Sequence, residues 1–128
     1  MLIEHQDGYR LVAQAGNHQI VSDQPREQGG QDAGPTPSQI LAASLAFCVG
    51  VYAVAYAQKN NIPYEGLKVE VDWTTAKDPY RMASFKMLLV MPAPVPEEHR
   101  SLLLQFVNQC LIKNTLLNAP QIETELVD

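Results

Sequence analysis

Two thiols are the residues of this chain best suited to chemistry. Cys48 stands in the stretch G-P-T-P-S-Q-I-L-A-A-S-L-A-F-C-V-G (residues 34–50) and Cys110 in Q-C-L-I-K-N-T-L (residues 109–116); the 128-residue sequence holds no other cysteine. Such a pair has two readings. Free cysteine is among the most buried residue types and packs as a small hydrophobe. Alternatively, one thiolate attacks an oxidant and the other resolves the product. Spacing alone leaves both open. If one attacks and the other resolves, Cys48 is the attacker, and burial means that it needs a cation nearby, because desolvation by itself raises a thiol pKa.

Little else competes for a catalytic role. His5, His18 and His99 are scattered, with neither a C-x-x-C nor an H-x-x-x-H pattern, so no metal centre is expected. There is no phosphate loop, dinucleotide fingerprint or G-x-S-x-G elbow, and no cofactor is expected. Arg10 and Arg81 read as surface partners of nearby acids.

The elements that must position the thiols are legible. Thr36 is placed to cap a helix, with Pro37 at its first position and Gln39 where a capping box takes Gln or Glu. The helix runs to Lys59-Asn60-Asn61-Ile62-Pro63, and Cys48 lies about three turns inside it, beyond useful reach of the N-terminal dipole. Its stretch of eighteen uncharged residues, 40–57, reaches the lower limit for a membrane span. Alanines (42, 43, 46, 53, 55, 57) and Gly50 make that stretch weakly hydrophobic, and its start lacks basic or Trp anchors. The expectation is therefore a central helix enclosed by sheet and by a partner subunit.

Around it, Tyr9, Leu11 and Ala13, a turn at residues 15–18, and Gln19-Ile20-Val21 predict a hairpin. The polar, Gly- and Pro-rich segment 22–36 predicts a loop long enough to carry function. Leu67, Val69, Val71 and Trp73 alternate with Lys68, Glu70 and Asp72 as a strand, and Phe85, Met87, Leu89 and Met91 share a face of the strand that returns after Lys77-Asp78-Pro79. A second helix is expected from Pro96 to about Asn114–Asn118, with Leu103, Phe106, Val107 and Cys110 on its apolar stripe. Cys110 then lies toward a helix C-terminus, where the dipole disfavours an anion. Ile122, Thr124 and Leu126 predict a final strand. The whole is one α+β domain over residues 1–128 with a mainly antiparallel sheet.

A net charge of −5 gives no basic footprint for nucleic acid or for an anionic membrane. The opening M-L-I-E-H-Q-D-G-Y-R lacks the basic start and apolar run of a signal peptide, and two cysteines without an export signal point to reduced thiols in the cytoplasm.

At its cysteine-bearing segments the chain resembles the OsmC/Ohr family of osmotically induced and organic-hydroperoxide-resistance proteins. The resemblance lies in P-R-E-Q-G-G (25–30), the 34–48 stretch, Q-C-L-I-K-N-T-L and the final short strand. It implies an OsmC-like fold: antiparallel sheets wrapped around a long central helix, in an intertwined homodimer with sites at the subunit interface. It further implies a thiol peroxidase in which Cys48 reduces an organic hydroperoxide, becomes a sulfenic acid and condenses with Cys110 to a disulfide, which a dithiol or lipoyl reductant restores. The chain departs from the family pattern in three places. Ser38 and Gln39 stand where the peroxidases carry a Glu that holds the activating Arg, and are expected at the substrate site. No Arg stands where the organic-peroxide branch places its activating cation; Arg26, in the loop ahead of the helix and near where the osmotically induced branch has one, is the candidate. Leu111 follows Cys110 where the family usually has Pro. The alternative reading is a non-catalytic dimer of the same fold that binds an apolar small molecule at its interface pocket.

Overall fold

A computed structural model describes all residues 1–128. Three strands open it: β1 (Leu2–Asp7), β2 (Arg10–Ala15) and β3 (His18–Ser22), paired antiparallel in that order. A loop containing a 3-10 turn at Arg26–Gln28 leads to the long helix α1 (Pro37–Lys59). An antiparallel pair follows, β4 (Lys68–Ala76) and β5 (Arg81–Val90), then α2 (Glu97–Val107) and the short α3 (Leu111–Leu117). The class is α+β, as expected.

Helix α1 begins as its sequence dictates. The Gln39 N–H donates to Thr36 Oγ1 at 3.3 Å, and the Thr36 N–H donates back to Gln39 Oε1 at 2.9 Å. This closes the capping box ahead of Pro37 and satisfies two otherwise orphaned donors. At the other end, the Asn60 backbone N–H turns back onto Tyr56 and Ala57, and the Asn60 side chain donates to the Tyr56 carbonyl at 2.8 Å.

The core lies on one side of α1. Leu45, Val49 and Ala53 pack with Leu103, Val107 and Cys110, flanked by Val69 of β4 and by Phe85, Met87 and Leu89 of β5. The period-2 pattern of β4 and β5 thus sends their apolar face onto the helix. Tyr52 and Tyr56 hold α2 in place through Phe106, with ring centroids 5.4 and 5.7 Å apart. The Tyr56 hydroxyl and His99 Nδ1 share a hydrogen bond of 2.8 Å.

Part of the opposite side of α1 is bare. Phe47 is 73% exposed and Val51 66%. With Ala43, Ala46, Gly50 and Val54 they form one wall of a groove of about 590 Å³, whose other wall is Leu67, Val69 and Val71. By length and composition α1 could also cross a bilayer. The three-stranded sheet has no substantial packing against α1 or β4–β5, and none of its residues joins the cluster around Leu45 and Cys110, although Ala13 of β2 is buried.

Four expectations are corrected. Strand β1 was not anticipated, because all six of its residues are exposed and it therefore carries no inside–outside alternation to read. The second helix is two: α2 stops at Val107, and α3 restarts after Cys110. The predicted final strand does not form, since residues 118–128 find no sheet edge within their own chain; Ile122 and Leu126 are exposed there. Arg81 pairs with no acid, donating instead to the carbonyls of Lys77 and Pro79 at 3.1 and 3.0 Å.

Candidate active site

The two cysteines, 62 positions apart in sequence, meet between α1, α2 and α3. Cys48 comes from the middle of α1 and is half-buried; Cys110 is fully buried in the same cluster. They are brought together because α2 and α3 both pack on the face of α1 that carries Leu45, Cys48, Val49 and Tyr52. Both cysteines are free thiols.

The break in the second helix changes the electrostatics of Cys110. Its backbone is extended (φ −62°, ψ 144°), and it serves as the N-cap of α3. The Lys113 N–H donates to Cys110 Sγ at 3.3 Å. The sulfur therefore sits at the positive end of a helix, opposite to the C-terminal placement expected from the sequence. Leu111 takes the first helical position that Pro would fill, so the helix stops and restarts without a proline. Burial nevertheless dominates and pushes the Cys110 thiol above its ordinary 9.0; the neighbouring Cys48 thiol pushes the same way, and the N–H groups of Lys113 and Ile112 oppose it. At neutral pH Cys110 is a protonated thiol beside the half-buried Cys48.

The remaining predicted site residues lie outside this cluster. Arg26 occupies the 3-10 turn of the loop before α1 and is exposed. Ser38 is exposed in the first turn of α1. Gln39 is also exposed, and its side-chain oxygen is engaged by the capping box. The cluster around the two thiols is built from side chains such as Leu45, Val49, Tyr52, Leu103 and Val107. No group of three or more His, Cys, Asp or Glu side chains is gathered anywhere that could hold a metal ion.

One residue that sequence reasoning passed over is Asp23, read only as a polar loop position. It is 2% exposed and accepts three backbone N–H bonds, from Gln24, Gln31 and Ala33. Arg10, expected to be a surface partner, has its Nε buried and lies where its charge favours the Asp23 carboxylate. The signal available in sequence was weak: a single acid just after a strand, followed by a Gly-rich turn.

An α+β chain that buries one cysteine against another, from a long capped helix and a late helix start, defines a two-thiol class of protein. The chain belongs to the OsmC-like protein family, which it matches over residues 29–125. Its fold resembles that of a Psychrobacter arcticus protein named for osmotic stress induction and a detoxification response (TM-score 0.81, 21% identity, covering 89% of this chain and 85% of that one). It also resembles an OsmC-like protein from Mycoplasma pneumoniae (TM-score 0.72, 22% identity, 86% and 80% covered). A third likeness is to an organic hydroperoxide resistance protein OsmC from Legionella pneumophila (TM-score 0.60, 18% identity, 90% and 87% covered). At these identities the likenesses establish the fold. No curated protein matches the sequence.

Proposed function

We propose that this protein is a thiol-dependent peroxidase that reduces organic hydroperoxides, acting as a cytoplasmic homodimer in a redox-stress response. The observation that carries the reading is the convergence of Cys48 and Cys110 in one buried cluster, the less buried thiol being on the long helix. Membership of the OsmC-like family supports the redox-stress setting.

The chemistry runs in three steps. The Cys48 thiolate attacks one peroxide oxygen, the O–O bond breaks, and the departing alkoxide takes a proton to leave as an alcohol. Cys48 is then a sulfenic acid. Cys110 gives up its thiol proton as its sulfur attacks the Cys48 sulfur; that proton leaves with the hydroxyl as water, and a disulfide forms. A dithiol or lipoyl reductant, itself oxidised, restores both thiols. Arg26 is the cation assigned to stabilise the Cys48 thiolate, supplied across the subunit interface from a second copy, with Ser38 and Gln39 flanking the entrance.

Support for the second copy comes from surface area. The chain exposes 9788 Å², whereas a compact monomer of 14.2 kDa exposes about 6,800 Å². The excess, about 3,000 Å² per chain or about 6,000 Å² for a pair, is at the upper end of what obligate dimers cover. It lies on the bare face of α1, the detached three-stranded sheet and the extended C-terminal segment. The same coverage explains the apolar α1 without a bilayer.

The test is consumption of cumene hydroperoxide with dithiothreitol or a lipoyl donor. Wild type is expected to turn over, and Cys48→Ser to be inactive; equal rates would remove the assignment. The 590 Å³ apolar groove favours a second reading, a non-catalytic dimer that binds an apolar small molecule. Mass spectrometry after stoichiometric peroxide separates the two: a Cys48–Cys110 disulfide belongs to the enzyme, two unmodified thiols to the binder.

A further inference from the structure

The loop between β3 and α1 is organised around a carboxylate. Asp23 Oδ1 accepts the Gln24 N–H at 2.7 Å, and Oδ2 accepts the N–H groups of Gln31 at 3.2 Å and Ala33 at 3.1 Å. The loop is cinched at its neck, where the Ser22 hydroxyl donates to the Pro35 carbonyl at 2.9 Å and the Asp23 N–H to the same carbonyl at 3.4 Å. Inside, the Asp32 N–H donates to the Gln24 carbonyl at 3.0 Å. The turn is tight enough that a Cβ on Gly30 would lie 2.0 Å from the Gln24 carbonyl oxygen. Arg10 of β2 adds its positive charge to the same carboxylate. The three-stranded sheet has no substantial packing on its own α1, and this knot lies in the segment that joins them. Arg26 sits on the loop so formed, exposed and within a 3-10 turn closed by the Gly29 N–H to its own carbonyl at 3.1 Å.

We propose that Asp23 is a positioning residue, which holds residues 24–33 closed and thereby presents Arg26 as an ordered cation to the thiol site of a second copy. The inference rests on the assignment of Arg26 above. A carboxylate is suited to this because bonds from backbone N–H groups to a charged acceptor are stronger than bonds to a neutral one. Order matters because the stabilisation of a thiolate by a cation falls with distance, so a guanidinium that samples many positions lowers the thiol pKa less than a fixed one.

The experiment measures iodoacetamide alkylation of Cys48 against pH in a Cys110→Ser background, where one thiol reports. Asp23→Asn, Arg26→Gln and the double variant are compared with the parent, alongside amide hydrogen exchange. Asp23→Asn is expected to slow alkylation at pH 7 up to about tenfold, the effect of one unit in the thiol pKa. The double variant is expected to match Arg26→Gln alone. The amides of Gln31 and Ala33 are expected to exchange faster in Asp23→Asn and unchanged in Arg26→Gln. If Arg26→Gln leaves the profile where it was, the Arg26 assignment falls and this proposal with it. If Arg26→Gln slows alkylation while Asp23→Asn does not, or if Asp23→Asn slows it further in the Arg26→Gln background, only the role of Asp23 is overturned. Should Asp23→Asn not fold, Asp23→Glu keeps the charge and displaces the carboxylate from the three amides. It is then expected to slow alkylation in the parent and not in Arg26→Gln, and slowing in both would overturn the proposal.

Discussion

The sulfur of Cys110 accepts the backbone N–H of Lys113 at 3.3 Å, so one buried atom both starts helix α3 and faces Cys48. Capping and, under the proposed mechanism, redox chemistry draw on the same side chain, and substitutions separate them. Cys110→Ser keeps an oxygen able to accept that N–H; Cys110→Ala keeps none. In denaturant titrations of the reduced protein, Cys110→Ala is expected to be the less stable of the two by about 1 kcal/mol. Under the proposed mechanism both leave Cys48 without its resolving thiol. Peroxide should then yield a persistent sulfenic acid, which dimedone labelling detects.

The pH dependence of stability follows from the raised Cys110 pKa. The unfolded thiol ionises at its ordinary 9.0, the folded one above it, because burial disfavours the thiolate. The unfolded state therefore sheds its proton first, and the stability present below pH 9.0 is lost as pH rises toward the folded pKa. Thermal melts of wild type in reductant are expected to fall across that window, with a smaller fall in Cys110→Ser.

Asp23 acts at the other end of the scale. Burial raises its pKa, but three backbone N–H bonds and the charge of Arg10 outweigh it, and the folded value lies below the ordinary 3.8. Its contribution is present above pH 3.8 and is lost as pH falls through the lower, folded pKa. The difference in melting temperature between wild type and Asp23→Asn is expected to be constant near neutrality and to shrink below pH 3.8.

Gly30 tests the loop sterically. A Cβ there would meet the Gln24 backbone oxygen at 2.0 Å, and the backbone cannot give way as a flexible side chain would. Gly30→Ala is expected to destabilise by about 1–3 kcal/mol, in the range of overpacking. Gly8→Ala, by contrast, meets no neighbouring atom within 4 Å, although its φ of 53° carries a backbone cost of its own.

Phe47 tests the proposed dimer. At 73% exposed in one chain, it should tolerate Phe47→Asp in a monomer. If a second copy covers the α1 groove, the same change buries an unpaired charge. Light scattering is then expected to report dissociation or aggregation in place of a dimer.

Much of this protein is decided locally and is therefore readable from residues alone. The capping box of Thr36 and Gln39, the Pro37 start, the Asn60 stop and the alternation of β4 and β5 are matters of neighbours within a few positions, and they form as the sequence predicts. The family signature around Cys48 is equally local. What tertiary structure alone decided is non-local. Cys48 and Cys110 meet because α2 and α3 fold back onto one face of α1, a contact that sequence separation does not encode. Cys110 became a helix start, because the chain breaks after Val107 to lay α3 along α1. Asp23 became a buried hub only once residues 24–33 curled around its carboxylate. Strand β1 and the unpaired segment 118–128 mark the same boundary from the other side. Their pairing depends on edges elsewhere, and without a buried face a strand leaves no period to read.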